Sequence, residues 1–163
     1  MKITLQKSRE EELSLLTKME ADAFSVQAKY FENGTLPPFS EEQKEKNALT
    51  TLFKEKDIII LTIYLEEDII GCVVVRKIDN VRKEILLFFI LPKYQGKGFG
   101  RQVLKMVEDT FPETQIWRLE TPTQVLRNSV FYVNKCGYKI VRVAEFDKQK
   151  EQGMFVFEKR KED

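Results

Sequence analysis

Residues 86–107, LLFFILPKYQGKGFGRQVLKMV, constrain the fold more than any other stretch of this chain. The apolar run at 85–91 reads as a strand, 92–95 as a short turn and 96–100 as a glycine-rich loop. An amphipathic helix then runs over 98–110, and Pro112 stops it. No Asp or Glu interrupts positions 85–107, whereas Lys93, Lys97, Arg101 and Lys105 all fall in or after the loop. The first N–H groups of a helix have no intrahelical acceptor, and the helix dipole places partial positive charge at the same end. Glycines let a backbone approach a ligand closely. Strand, glycine loop and helix start in this order make a cradle for a pyrophosphate, so an anionic cofactor is expected here. Two other glycine motifs do not fit. A dinucleotide fingerprint needs GxGxxG after the first strand of a parallel βαβ unit, but Gly96, Gly98 and Gly100 are spaced GxGxG and follow a meander. A Walker loop needs Gly-Lys followed by Ser or Thr, and here Lys97 is followed by Gly98.

The rest of the chain frames that unit. Ile3, Thr4, Leu5 and Gln6 alternate as a short first strand. Ser8 followed by Glu10, Glu11 and Glu12 starts a helix, whose stripe of Leu13, Leu16, Met19, Glu20 and Ala23 ends near Phe24. Residues 25–39 read as a loop containing Tyr30, Phe31 and Phe39, and Ser40-Glu41-Glu42-Gln43 resembles a capping box opening a second helix to about Lys54. The β-rich runs at 58–65, 69–77 and 81–91 are joined by short polar turns and predict an antiparallel meander. A strand at 116–120 follows the central helix. A helix at 123–136 then carries an apolar stripe of Leu126, Val130 and Val133 and closes at Gly137. Strands at 138–146 and 154–158 end the chain. The order βααβββαβαββ predicts one α+β domain over residues 1–163, with helices flanking a mixed, mostly antiparallel sheet.

Composition narrows the chemistry. The 163 residues contain no histidine, which removes Ser-His-Asp and Cys-His nucleophilic schemes and any His-ligated metal; no metal site is expected. Acid–base work then falls to Glu, Asp, Lys, Tyr or Cys. The net charge of +1 gives no global support for a nucleic-acid partner. The N-terminus lacks an apolar signal core and no apolar run approaches ~20 residues, so neither secretion nor a membrane span is expected. Cys72 and Cys136, without CxxC spacing, suit reduced thiols and a cytoplasmic location.

Two blocks carry a resemblance. The segment Gln95-Gly96-Lys97-Gly98-Phe99-Gly100, and Asn128 followed by Phe131-Tyr132 and Gly137-Tyr138, resemble those of the GCN5-related N-acetyltransferase (GNAT) superfamily. The element order is similar as well, so the resemblance spans nearly the whole chain. It implies acetyl-CoA as cofactor, a small-molecule or peptide amine as acceptor, direct acetyl transfer, and a homodimer, which the family often forms.

Residue by residue, the resemblance implies that backbone groups from Gln95 to Arg101 hold the pyrophosphate, with Lys97, Arg101 and Lys105 meeting phosphate oxygens. Phe89, Ile90 and Leu91 would pair with the pantetheine arm along a splayed strand, and Asn128 would point toward that arm beside Phe131. Acyl transfer also needs an oxyanion donor, which falls on a backbone N–H near Ile90 or Leu91, and a proton for the leaving thiolate, which falls on Tyr132. A lysine-type amine, with a reference pKa of ~10.4, must lose a proton. Two acids stand open for that. Glu84 has the spacing of the general base of one branch of the superfamily, and simple alternation places it on the face of Leu86, Phe88 and Ile90. Glu120 is the other candidate, as base or as anchor for the amine. The acceptor would lie among residues 24–39 and 145–154, where Tyr30, Phe31 and Phe39 with Glu32, Glu41 and Glu145 suit a small cationic or amphipathic amine. A module of the same fold that binds acyl-CoA without turnover would share the loop but have no use for Tyr132 and its acids.

Overall fold

The computed structural model describes residues 1–31 and 41–161. Its main elements are β1 (Ile3–Lys7), α1 (Leu13–Ser25), α2 (Glu41–Lys46), α3 (Leu49–Leu52), β2 (Ile58–Leu65), β3 (Asp68–Lys77) and β4 (Arg82–Ile90). There follow α4 (Phe99–Thr110), β5 (Ile116–Pro122), α5 (Leu126–Val130), β6 (Lys139–Asp147) and β7 (Gln152–Arg160). The strands form one sheet in the order β1-β2-β3-β4-β5-β7-β6. Every pairing is antiparallel except that of β4 with β5. This is the expected α+β architecture. Among the described residues no helix is long and apolar enough to cross a membrane.

The sheet is buried on two faces by two apolar clusters. On one face Leu13, Leu16, Met19 and Ala23 of α1 pack on Ile58, Ile60, Cys72, Val74 and Phe89. On the other, Val103, Leu104 and Val107 of α4 pack on Ile63, Val73, Val75, Ile85, Leu119 and Phe157. The helical stripes at three- and four-residue spacing therefore lie over strand residues at a spacing of two. Leu16, Ile63, Val73 and Val103 have no exposed surface. Full burial of such a side chain contributes roughly 1.5–3 kcal/mol.

Three expectations need correction. The second helix is not continuous: Ala48 takes an extended backbone (φ −63°, ψ 141°) and separates α2 from α3. Lys44–Lys46 present no apolar side chain to a core, whereas Leu49 and Leu52 are buried and anchor α3. The helix expected over 123–136 is also interrupted. α5 covers five residues and Phe131–Lys135 continue as a π-helix. Its stripe Leu126, Val130 and Val133 faces solvent at 66%, 43% and 38% exposure, because the inward side of this segment is taken by Ser129, Phe131 and Tyr132. Finally, β4 carries a bulge. Val74 pairs with Leu87 but Val75 pairs with Ile85, so Leu86 is an extra residue and alternation restarts after it. Phe39, and the Ser40 expected to cap the second helix, lie outside the described residues.

One feature of the sheet positions the site. β4 and β5 pair only through Arg82–Ile85 against Ile116–Leu119. Beyond that point β4 keeps only β3 as neighbour and β5 keeps only β7. The centre of the sheet splits into a wedge.

Candidate active site

The wedge holds a cavity of about 570 Å³. One wall is β4 from Ile85 to Ile90 with the loop residues Gln95, Gly96, Gly98 and Gly100 and the first charged residue of α4, Arg101. The other is β5 from Leu119 to Pro122 with Arg127, Asn128, Phe131, Tyr132 and Lys135. Ala23, Phe24 and Gln27 at the end of α1 close the far side.

The backbone of β4 decides which groups face the wedge. Leu91 donates its N–H to Ile70 O at 2.8 Å, toward β3. Strand residues alternate the direction of their amide groups, so Ile90 and Phe88 turn theirs into the wedge. The carbonyl of Ile90 accepts a hydrogen bond there, from Gln95 Nε2 at 2.7 Å. Of the three expected strand positions, only Ile90 therefore turns its backbone groups into the wedge: Phe89 and Leu91 spend theirs on β3, and although Phe89 lines the cavity, Leu91 does not.

The glycine loop has the geometry its sequence calls for. Gly96 and Gly98 have φ of +74° and +85°, a region in which a side chain is strained, and Gly98 is the N-cap of α4. Gln102 N–H bonds back to Gly98 O at 3.3 Å, which leaves the amides before it in the first turn without intrahelical acceptors. Gly100 is required for a different reason. A Cβ there would sit 3.0 Å from the Phe131 ring, so its absence lets α4 close on the opposite wall. The side chains of Lys97, Phe99 and Lys105 lie elsewhere: Lys97 and Phe99 do not line the cavity, and Lys105 pairs with Asp109 at 2.8 Å.

Tyr132 enters the cavity from the π-helical turn. A π turn holds one more residue than an α turn and is common at functional sites. Its ring packs against Phe131, Tyr138 and Phe157 at centroid distances of 5.2, 6.0 and 5.6 Å. Burial pushes the phenol above its usual range, so the group stays protonated through neutral pH. Asn128 donates to Thr121 Oγ1 at 3.1 Å, tying α5 to β5 across the cavity floor.

The acidic residues separate. Glu84 stands opposite Arg76 in the ladder, on the α1 face with Leu87 and Phe89 rather than with Phe88 and Ile90. The bulge at Leu86 is why simple alternation misplaces it. Its carboxylate is buried, pairs with Arg76 Nη2 and Arg118 Nε, and does not line the cavity. Glu120 does line it and pairs with Arg118 Nη2 at 3.2 Å. A charge ladder Arg76–Glu84–Arg118–Glu120 therefore ends at the cavity with its last acid. Phe31 is buried at 8% exposure and does not line the cavity; Glu32 and Phe39 are outside the described residues. Sequence reasoning missed Leu87, Thr121, Arg127 and Lys135, whose positions depend on the bulge and on the π turn.

The sequence matches the Acetyltransferase (GNAT) family over residues 17–138. The chain belongs to the GNAT acetyltransferase family. It is 30% identical over 145 residues to the uncharacterized protein YrkN of Bacillus subtilis (strain 168), covering 86% of this chain and 75% of that protein. Its fold is that of the PaiA N-acetyltransferase from Thermoplasma acidophilum, solved in complex with coenzyme A (TM-score 0.73, 22% identity, 98% and 99% of the two chains). It is also that of the spermidine N-acetyltransferase from Vibrio cholerae, solved with CoA and spermine (TM-score 0.69, 16% identity, 98% and 96%). At these identities the GNAT chain shares a backbone with the two enzymes.

Proposed function

We propose that this GNAT chain transfers an acetyl group from acetyl-CoA directly to a primary amine, acting as a single catalytic domain. The observation that carries the reading is the wedge itself. One continuous cavity joins an anion cradle at the glycine loop to free strand amides, a protonated phenol and the carboxylate of Glu120, which Arg118 holds at 3.2 Å. The cradle fits a pyrophosphate, because first-turn amides, the dipole of α4 and Arg101 converge where no acidic residue intervenes. The backbone groups of Phe88 and Ile90 fit an extended amide-bearing arm laid along β4, as a strand edge would pair with it.

When bound, acetyl-CoA supplies an activated acyl thioester. The chain's own residues then divide the work. The Ile90 N–H faces the wedge and serves as the donor for the carbonyl oxygen that gains charge. Tyr132 Oη gives its proton to the departing sulfur; its raised pKa keeps that proton available. Asn128 and Phe131 shape the wall beside it. Glu120 receives the ammonium of the acceptor and, with water, takes its proton. Glu84, already neutralised by two arginines, positions Arg118 and through it Glu120. Phe24 and Gln27 give the acceptor end an apolar and a polar wall. The free cysteines, Cys72 and Cys136, fit a reducing compartment such as the cytoplasm. The reading includes a homodimer, which light scattering on the purified chain checks.

The test is thiol release from acetyl-CoA across a panel of polyamines, amino acids, aromatic amines and lysine peptides. Release with one class above the hydrolytic background supports the reading. Cofactor binding without release on any amine would favour a non-catalytic module instead.

A further inference from the structure

The sequence places all the cationic phosphate contacts on the glycine loop and α4. The structure assigns a further one to the opposite wall: we infer that Arg127 of α5 binds the pyrophosphate of the CoA-type ligand, with Gln95 holding its guanidinium at the cavity mouth. The inference rests on the cofactor reading above.

Four observations support it. Arg127 lines the cavity together with the loop residues Gln95, Gly96 and Gly98. Its Nη2 donates to Gln95 Oε1 at 2.6 Å, while Gln95 Nε2 donates to Ile90 O, so the guanidinium is fixed across the wedge from the cradle. Gln95 is neutral and leaves the charge of Arg127 uncompensated. Arg9, Arg76, Arg82 and Arg118 each pair with a carboxylate, whereas Arg101 and Arg127 do not, and of the arginines without such a pair only these two line the cavity among the described residues. Among the described residues Glu120 is the one acid that lines the cavity; it lies on β5 and pairs with Arg118. Two guanidinia on facing walls, with Lys135 beside them, create a field that only an anion neutralises. A guanidinium is also suited to two adjacent phosphate oxygens.

The experiment is calorimetric binding of CoA, 3′-dephospho-CoA and pantetheine to the wild type, Arg127→Gln and Arg127→Lys. Arg127 is exposed on α5, so the variants fold, and their unfolding midpoints confirm it. The inference expects Arg127→Gln to weaken CoA and dephospho-CoA alike by about tenfold to a hundredfold, the range for a lost charge-assisted hydrogen bond. Pantetheine affinity stays unchanged, and Arg127→Lys recovers part of the loss. Equal weakening of pantetheine would reduce Arg127 to a structural support of Gln95 and overturn the inference. Weakening of CoA but not dephospho-CoA would move the contact to the 3′-phosphate and overturn the pyrophosphate assignment. A wild type that binds CoA no better than Arg127→Gln does would also overturn it. A wild type that binds no CoA would overturn the cofactor reading itself.

Discussion

The two walls of the wedge are built by different means. The β4–α4 wall is local: strand, turn, glycine loop and helix follow one another within 29 residues, from Arg82 to Thr110. Its function resides in backbone amides, which the glycine pattern sets directly. The β5–α5 wall works through side chains (Glu120, Arg127, Asn128, Tyr132) whose directions depend on a short helix passing into a π turn and on strand register. On the proposed function the first wall grips, and the second reacts and discriminates. Substitutions on the two walls should therefore fail differently, and four experiments use that difference.

The largest effect is expected on the first wall. Gly98→Asp puts a side chain on a backbone at φ +85° and a negative charge at the start of α4. CoA affinity should fall by more than about a hundredfold, a loss of ~3 kcal/mol or more by calorimetry; unchanged affinity would remove the cradle.

On the second wall, Tyr132→Phe should lower turnover by about a hundredfold and leave CoA affinity within a factor of two. If affinity and turnover fall together, Tyr132 packs the cofactor rather than protonating the thiolate.

Two linked acids sharpen the contrast: Glu120 on β5 lines the cavity, whereas Glu84 on β4 does not. Glu120→Gln should raise KM for a cationic amine by about tenfold with little change in KM for acetyl-CoA. Glu84→Gln leaves Arg76 and Arg118 without their shared carboxylate, and should lower stability by about 1–3 kcal/mol in denaturant titration. A kinetic effect of Glu84→Gln without any loss of stability would return the base to Glu84.

The smallest effect lies off both walls. Glu20 of α1 sits one turn before Ala23 and Phe24, and burial raises its carboxyl to about 7 from an ordinary 4.5. A raised folded-state pKa favours the native state below the unfolded pKa, and that advantage is lost as pH rises through the folded value. Stability should thus decline between pH 4.5 and 7 through this group. Glu20→Gln should flatten that slope and stabilise the protein at pH 8 by about 1–3 kcal/mol. An unaltered pH profile of the unfolding midpoint would contradict the burial argument.

Particular residues show why one wall is largely legible and the other only in part, through Glu120, Asn128, Phe131 and Tyr132. Gly96, Gly98 and Gly100 announce their conformation because few other residues adopt it, and the strand before them is a plain apolar run. The meander and the two helical stripes on α1 and α4 follow from periodicity, since each buries one face. Periodicity fails where one residue is inserted. The bulge at Leu86 moves Glu84 to the α1 face, and the π turn at Phe131–Lys135 turns Tyr132 inward while exposing Leu126, Val130 and Val133. Neither insertion has a local sequence signal; both are fixed by packing between distant strands. Arg127 likewise carries no local signal. In sequence it is one basic residue on a helix, and only the fold brings it to Gln95, 32 positions away.

Thermal unfolding with and without CoA tests the central claim most directly, because it requires neither an acceptor amine nor a catalytic residue. A ligand bound only by the native state, at a hundredfold its dissociation constant, adds about 2.7 kcal/mol. The account predicts a rise in the unfolding midpoint that grows with CoA concentration and disappears in Gly98→Asp. A midpoint unmoved by millimolar CoA would contradict it.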